Sequence, residues 1–343
     1  MKLLSPLGWL YGLGVEVRNA FYDHGLFRAY DLGAKTISIG NITAGGTGKT
    51  PLVGLVAEML AKKGEKVCIL TRGYGRTDVH SRVVVCDWEN VLADAAAGGD
   101  EPVELARKLL GKSVIVADPD RVSAARWAIE RFGITAFVLD DGFQHRRAKR
   151  EIDIVCIDAT DPFGGGAVLP AGTLREPLKG LERADAIVIT RSNLAASTDA
   201  FIERLRQWNR ESPIFRASST VSGVSKLEDF LGGIKTPGED REFTTNGYLF
   251  CGLGNPESFR AQLIKEDFPV SGFRKFADHH IYSQSDLRVL ESAAEEAGAG
   301  CLITTGKDAV KLAGLDVHLP CFVISSKLEL NDRSAFEKLI TSL

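Results

Sequence analysis

Short runs of β-branched and aliphatic residues alternate along most of the chain with longer stretches whose apolar residues recur every three to four positions. KTISIG (35–40) precedes a helical period in VGLVAEMLAKKG (53–64), and VCILTRG (67–73) precedes another in EPVELARKLLG (101–111). SVIVAD (113–118), a helix through RVSAARWAIERFG (121–133), TAFVLDD (135–141), IVCIDA (154–159) and AIVITR (186–191) continue the series. This alternation predicts βα units around a mostly parallel sheet. Right-handed crossovers then gather the loops at the carboxyl ends of the strands on one edge, where ligands bind in open α/β sheets.

After about residue 220 the pattern repeats on a smaller scale, from GYLFCGLGN (247–255) and a helix in ESFRAQLIKE to GFRKFADHH (272–280), a helix over SDLRVLESAAEEAG, then CLITTGKDAVKL (301–312) and CFVISSKLEL. The intervening SSTVSGVSKLEDFLGGIKTPGEDREFTTNG is rich in Ser, Gly and Thr and reads as a connector with room for a short strand or two. The expected organisation is an N-terminal helix in residues 1–30, a larger α/β domain in 31–220, a linker in 221–245 and a smaller α/β domain in 246–343.

The opening segment has its own pattern. Leu10, Leu13, Val17 and Phe21 recur at helical spacing, with Trp9, Tyr11, Tyr22 and Phe27 around them and Lys2, Arg18 and Arg28 as cations. Such a helix either packs on the protein's own core or lies in a membrane interface. It cannot span one, because Glu16, Arg18 and Asp23 interrupt the apolar run. Its glycines and the lack of a small-residue cleavage site make it a poor signal peptide.

Composition narrows the function classes. With 343 residues, 44% apolar and 25% charged, the chain can bury two cores. A net charge of −3 lacks the basic excess of a non-specific nucleic-acid binder, so no nucleic-acid partner is expected and anion binding must be local. Six widely spaced cysteines, without a CxxC pair, read as core thiols of a reducing compartment.

Local anion binding has an obvious candidate in GNITAGGTGKTP (40–51), which follows a strand and opens a helix near Lys49. The usual phosphate-loop pattern wants glycine at the position of Thr43, so the match is imperfect. Thr43, Ala44, Gly45, Gly46, Thr47 and Gly48 nevertheless form a loop whose glycines let backbone N–H groups approach phosphate oxygens. Lys49 reaches the β- and γ-phosphates and the Thr50 hydroxyl ligates Mg²⁺ in such loops. Ala44 stands where dimerising ATPases of similar loop sequence carry a signature lysine, which favours a self-contained monomeric catalyst over a dimeric switch.

Two acidic elements accompany the loop. Asp140 and Asp141 end an apolar strand, where a Mg²⁺-orienting carboxylate is expected; adjacent strand residues face opposite ways unless the chain turns at Gly142. His145, Arg146 and Arg147 follow, either as a cationic cluster for an anionic substrate or as a solvated turn. In GGDEPVELA, Asp100 and Glu101 precede Pro102 at a helix start; they either meet the helix dipole, or Asp100 is the base that takes a proton from an attacking hydroxyl.

Taken in order, GNITAGGTGKTP, LTRGYGR, GGDEP, LDDGFQHRR, LPAGTLREPL, GLGNPESF, FADHH and TTGKDAVKL resemble the tetraacyldisaccharide 4′-kinases of lipid A biosynthesis over about residues 5–315. The resemblance implies a P-loop NTPase-like α/β/α sandwich plus a smaller α/β/α domain, with ATP and Mg²⁺ as cofactors. It implies phosphorylation of the 4′-hydroxyl of a membrane-embedded acylated glucosamine disaccharide 1-phosphate, at the cytoplasmic face of the bacterial inner membrane, with the N-terminal helix on the bilayer. By motif it places Lys49 and Thr50 on the nucleotide and metal, Asp140, Asp141 and Glu176 near the metal, Asp100 as base assisted by His279, and His145, Arg72 and Arg175 in the polar cleft. Gly306 stands where the family usually carries glutamate, which leaves the parts of Lys307 and Asp308 open. The alternatives are a nucleotide-dependent switch or chaperone, and a kinase of another small molecule.

Overall fold

The computed structural model describes residues 5–233 and 245–342; Lys2 and residues 234–244 of the expected linker lie outside the described residues. The first helix, α1 (Ser5–Asp23), precedes β1 (Lys35–Asn41) and α2 (Lys49–Lys62). Next come β2 (Val67–Thr71), β3 (Val83–Cys86), α3 (Ala95–Gly98), α4 (Asp100–Leu109), β4 (Ser113–Ala117), α5 (Arg121–Phe132) and β5 (Ala136–Asp140). The larger half continues through β6 (Ile152–Asp158), β7 (Ala186–Thr190) and α6 (Asp199–Arg206) into a long strand, β8 (Ile214–Lys226). The smaller half holds α7 (Leu227–Gly232), β9 (Gly247–Cys251), α8 (Pro256–Lys265), β10 (Val270–Lys275), α9 (Gln284–Glu296), β11 (Cys301–Thr305), α10 (Gly306–Ala309) and β12 (Cys321–Leu330). A last helix, α11 (Arg333–Thr341), follows.

Among the described residues, twelve strands form one sheet in the order β10-β9-β11-β12-β8-β7-β6-β1-β5-β2-β4-β3. Pairing is parallel within both halves, except that β3 runs against β4 and β8 runs against β12. That last pair joins the halves. The polar residues of β8 suit its position, because a strand between two domains is half solvated on both faces. What reads as connector is therefore partly a thirteen-residue strand.

Central strands are apolar throughout because helices cover both faces. Along β2, Val67 and Ile69 enter the core beneath α2 and α4, whereas Cys68 and Leu70 enter the one beneath α5. All six cysteines are buried free thiols. The smaller half has its own two cores, one with Leu287 and Leu290 of α9, the other with Phe259 and Leu263 of α8. The final helix returns to the larger half, where Phe336 and Ile340 pack with Ile37, Val56 and Phe215. The Phe215 and Phe336 rings meet edge to face at 5.0 Å. That return is illegible in a division by sequence order.

The opening helix seats its glycine face. A Cβ on Gly8 would lie 2.9 Å from Ala171 Cβ, and one on Gly12 would touch Val168. The opposite side leaves Trp9 71%, Leu10 61% and Leu13 42% exposed. No described helix is long and apolar enough to cross a membrane.

Candidate active site

Neighbouring strands build the site. The phosphate loop leaves β1 just after Asn41, and β1 pairs with β5 so that Ile39 faces Asp140. The loop's interior is tied by side chains of β1 and β7, which flank β6: Asn41 Nδ2 donates to Thr47 Oγ1 at 2.9 Å, and Thr190 Oγ1 donates to the Thr47 carbonyl at 2.7 Å. Gly48 caps α2 at φ 74°, a left-handed conformation that favours glycine. Thr43 bridges to Leu174, and the Ala44 N–H donates to the Thr173 carbonyl, so these two residues anchor the loop's shoulder.

Gly45 to Thr50 line a cleft of about 180 Å³ together with Tyr74, Glu101, Asp140, Asp141, Arg175, Asp278 and His279. The last two come from the smaller half, so the cleft lies between the two halves of the sheet. The chain turns at Asp141 itself, with φ 52°, which lets both consecutive carboxylates face it. Their environments differ. Burial drives the Asp140 carboxyl up to about 6, helped by the charges of Glu101 and Asp141, while Thr71 Oγ1 donates to it at 2.9 Å. Burial also opposes ionisation of Asp141, but Lys49 at 3.5 Å and Arg175 at 2.7 Å outweigh it and hold that carboxyl at about 2.

Asp100 and Glu101 open α4 behind Gly99, whose φ of 92° and closeness to the Tyr74 carbonyl exclude a side chain. Thr50 Oγ1 donates to Glu101 Oε2 at 2.8 Å. Asp100 is only 3% exposed, with His279 Nδ1 at 2.9 Å from its Oδ1 and Lys311 Nζ at 3.5 Å from its Oδ2. Burial pushes its carboxyl up, yet the His279 hydrogen bond and the charges of Lys307, His279 and Lys311 bring it below the usual range. In turn the bond to Asp100 raises the His279 imidazole above its ordinary value, against burial and the Lys307 charge. His279 holds a left-handed φ of 59°, a conformation that non-glycine residues adopt at a cost of about 1 kcal/mol or more.

Lys307 settles between carboxylates: its Nζ lies 2.7 Å from Asp278, 2.9 Å from Glu101 and 4.0 Å from Asp100. Burial favours its neutral form, and the three carboxylates more than reverse that. Asp308 has a structural part, accepting from the Gly252 N–H, Thr305 and Tyr282.

Other expected residues lie elsewhere. Glu176, expected near the metal, is 0% exposed and outside the cleft lining; its carboxylate accepts from Arg183, Gln144 and Asn19, tying α1 to the domain. His145, expected in the polar cleft, does not line it either. Burial and the charges of Arg121, Arg150 and Arg147 lower its imidazole to about 3, which keeps it neutral. Arg72 is exposed beside the Tyr74 ring, at 5.7 Å from its centroid, on the rim. Reading by motif passed over buried Arg121, which donates to the Asp141 carbonyl at 3.2 Å, and Lys311. Lys311 follows Lys307 by four residues, the one sequence signal that the two share a side.

A glycine-rich loop at a helix start, a lysine and a hydroxyl after it, paired acids at the next strand's end and a carboxylate–histidine pair facing them define a phosphate-loop phosphotransferase. The chain belongs to the LpxK family, the tetraacyldisaccharide-1-P 4′-kinases, whose model matches residues 1–343. It is 39% identical over 352 residues to the tetraacyldisaccharide 4′-kinase of Syntrophus aciditrophicus, covering 99% of this chain and 92% of that protein. The enzyme of the same name from Geobacter metallireducens is 39% identical over 317 residues, 91% and 88% of the two chains. Among solved structures, LpxK from Aquifex aeolicus, an "apo" form in complex with ATP, is 31% identical, covers 99% of this chain and 98% of its own, and superposes with a TM-score of 0.78. The activity is thus ATP-dependent phosphorylation of the 4′-hydroxyl of tetraacyldisaccharide 1-phosphate in lipid A biosynthesis. This membership excludes the switch and chaperone readings.

Proposed function

We propose that the interdomain cleft carries out this transfer with Asp100 as the proton acceptor. The observation that carries the reading is the contact that joins Asp100 to His279 of the smaller half: His279 lines the cleft with Lys49, and Asp100 lies buried directly behind it. Amides of Gly45 to Gly48 and the Lys49 ammonium hold the ATP phosphates. The 4′-hydroxyl gives its proton to the Asp100 carboxylate as its oxygen bonds to the γ-phosphorus, and the bond from that phosphorus to the β–γ bridging oxygen breaks, releasing ADP. His279 orients Asp100 and shares the proton. Arg175 and Arg121 steady Asp141, and Arg72 on the rim meets the anionic acceptor. A neighbouring hollow of about 190 Å³, lined by Leu253, Phe259 and Ile324, offers apolar walls for the purine.

Among the described residues no three His, Cys, Asp or Glu side chains are grouped to hold a metal alone. Mg²⁺ does not need such a cage, since it keeps waters and takes substrate phosphates beside one or two carboxylates. Hard oxygens of Thr50, Asp140 and Asp141 fit it, and the raised Asp140 carboxyl marks negative charge that a cation would offset. Bound there, Mg²⁺ would neutralise charge on the transferring phosphates. Glu176, already satisfied by three partners, is left out of this set.

A substrate with acyl chains keeps the enzyme at the bilayer. The exposed aromatic side of α1 supplies a peripheral contact with the cytoplasmic face of the inner membrane. The tests use purified protein, ATP, Mg²⁺ and the detergent-dispersed acceptor. Asp100→Ala lowers turnover about 100-fold or more while nucleotide still binds, the usual worth of a general base. Unchanged turnover removes Asp100 from that part. If deletion of residues 1–28 leaves vesicle binding and activity untouched, the membrane reading fails.

A further inference from the structure

The phosphate loop is held from outside by a chain of contacts that begins in the other domain. At its loop end, Arg191 Nη1 donates to the Gly46 carbonyl at 2.8 Å, beside the Thr190 bond to the Thr47 carbonyl. In a trans peptide unit the C=O and the following N–H point in opposite directions. Fixing the carbonyls of Gly46 and Thr47 on the strand side therefore turns the amides of Thr47 and Gly48 the other way. Two of the loop's donors are aimed by these contacts.

Arg191 is itself held. It sits just past β7 at φ 52°, a left-handed conformation that a non-glycine side chain keeps only when its surroundings require it. Its guanidinium pairs with the Oδ2 atom of buried Asp158. Asp158 Oδ1 accepts from the backbone N–H and hydroxyl of Thr160, at 3.0 and 2.7 Å. The remaining donor crosses the domain boundary: Asn255 Nδ2 gives hydrogen bonds to Asp158 Oδ2 and Thr160 Oγ1, each at 3.1 Å. Asn255 belongs to the smaller domain, where its Oδ1 accepts from the Ser258 N–H and caps α8.

A second feature brings the same turn onto the loop. A Cβ on Gly254 would lie 2.3 Å from the Gly46 nitrogen, a distance no side chain can occupy. Gly254 is needed for close approach, not for an unusual φ. The backbone of the smaller domain thus rests on the phosphate loop at the residue whose carbonyl Arg191 holds.

We propose that Asn255, Asp158 and Arg191 form an interdomain latch that positions the phosphate loop, so that ATP is gripped fully only when the smaller domain is seated. None of the three touches the transferred group; they hold the Gly46–Thr47 peptide, and because Arg191 and Asn255 also border the hollow given to the purine, the test includes a probe without a purine. The proposal rests on the kinase reading only for the identity of the nucleotide.

Asn255→Asp separates the latch from the fold. An aspartate keeps the α8 cap, since its oxygen still accepts from Ser258 N–H, but it removes the donor and sets a like charge against Asp158. Asn255→Ser also keeps a capping oxygen and is too short to reach Asp158. The full-length variants are titrated, without acceptor, with a non-hydrolysable ATP analogue and with inorganic tripolyphosphate, each with Mg²⁺, so that the result is independent of the lipid assignment; tripolyphosphate has no purine to meet Asn255, and a loss confined to the analogue overturns the latch. Expected are a roughly tenfold weaker affinity for the analogue, a matching rise in KM for ATP, an unchanged KM for the acceptor, and melting temperatures within a few degrees of the parent. Wild-type analogue affinity in both stably folded variants overturns the latch, as does a loss confined to kcat. If either variant melts early, Gly254→Ala, outside the α8 cap, must show the same loss of affinity, or the proposal fails.

Discussion

As the proposed base, buried Asp100 is surrounded by cations of the smaller half, and that arrangement sets the expected pH dependence. His279 is raised above the ordinary imidazole value of about 6.5, so the Asp100–His279 pair keeps its shared proton into more alkaline solution. Only the pair that has lost this proton can accept another from the acceptor hydroxyl. We therefore expect kcat/KM to climb with pH through a midpoint above about 6.5 and then level, and His279→Gln to remove that limb. A parent profile flat from pH 6 to 8 excludes the pair as the titrating base. Asp140 carries a stability consequence of opposite sense. Its folded carboxyl, raised to about 6 by burial and by Glu101 and Asp141, binds its proton more tightly than in the unfolded chain, so stability falls as pH rises from about 4 to 6. Asp140→Asn should match the parent near pH 4 and exceed it by about 1–3 kcal/mol at pH 8 without Mg²⁺, by denaturant titration. No gain at pH 8 removes the carboxylate strain inferred here. Lys49, Asp140 and Asp141 were legible because each adjoins a strand end with a recognisable motif. Arg121 from α5 and Lys311 from just past α10 reach the site and carry no local signature, and Glu101 reads in the sequence only as an acid at a helix start. The sequence does not show that adjacent residues part here: Arg175 lines the cleft while Glu176, one residue on, is wholly buried and outside that lining.

Helix α1 divides its work between its two sides. The glycines that make it a poor apolar span are its docking surface: Gly8 admits Ala171 where a side chain would clash, and Gly12 packs on Val168. The bulky side chains then face out. Replacing Trp9, Leu10 and Leu13 together by serine should lower partition onto anionic vesicles at least 100-fold, each losing on the order of 1 kcal/mol or more of apolar burial in the interface. Circular dichroism should remain that of the parent. Retained vesicle binding would assign the contact to another surface. The central strands and most helices were legible from their period. β3, an edge strand that pairs antiparallel, and β8, whose Ser and Thr residues mimic a connector, were not. Their conformation comes from a neighbouring strand, and periodicity within one segment does not report that.

At the scale of the molecule, a larger and a smaller half share one sheet, and the chain crosses between them twice, along β8 and back along β12. Because α11 comes back to the first core, stability is also shared. Phe336→Ala, at a wholly buried site, should cost about 3–5 kcal/mol and lower the midpoint of the larger domain's unfolding together with nucleotide binding. A loss confined to the smaller domain would contradict that placement. The same return governs the order of assembly during synthesis. The strand and helix that cradle ATP emerge early from the ribosome, yet two of the side chains that seal their core, Phe336 and Ile340, are translated only after the whole smaller domain. The growing polypeptide must therefore carry an unsealed apolar face for most of its elongation, which makes it a natural client for chaperones that shield nascent chains.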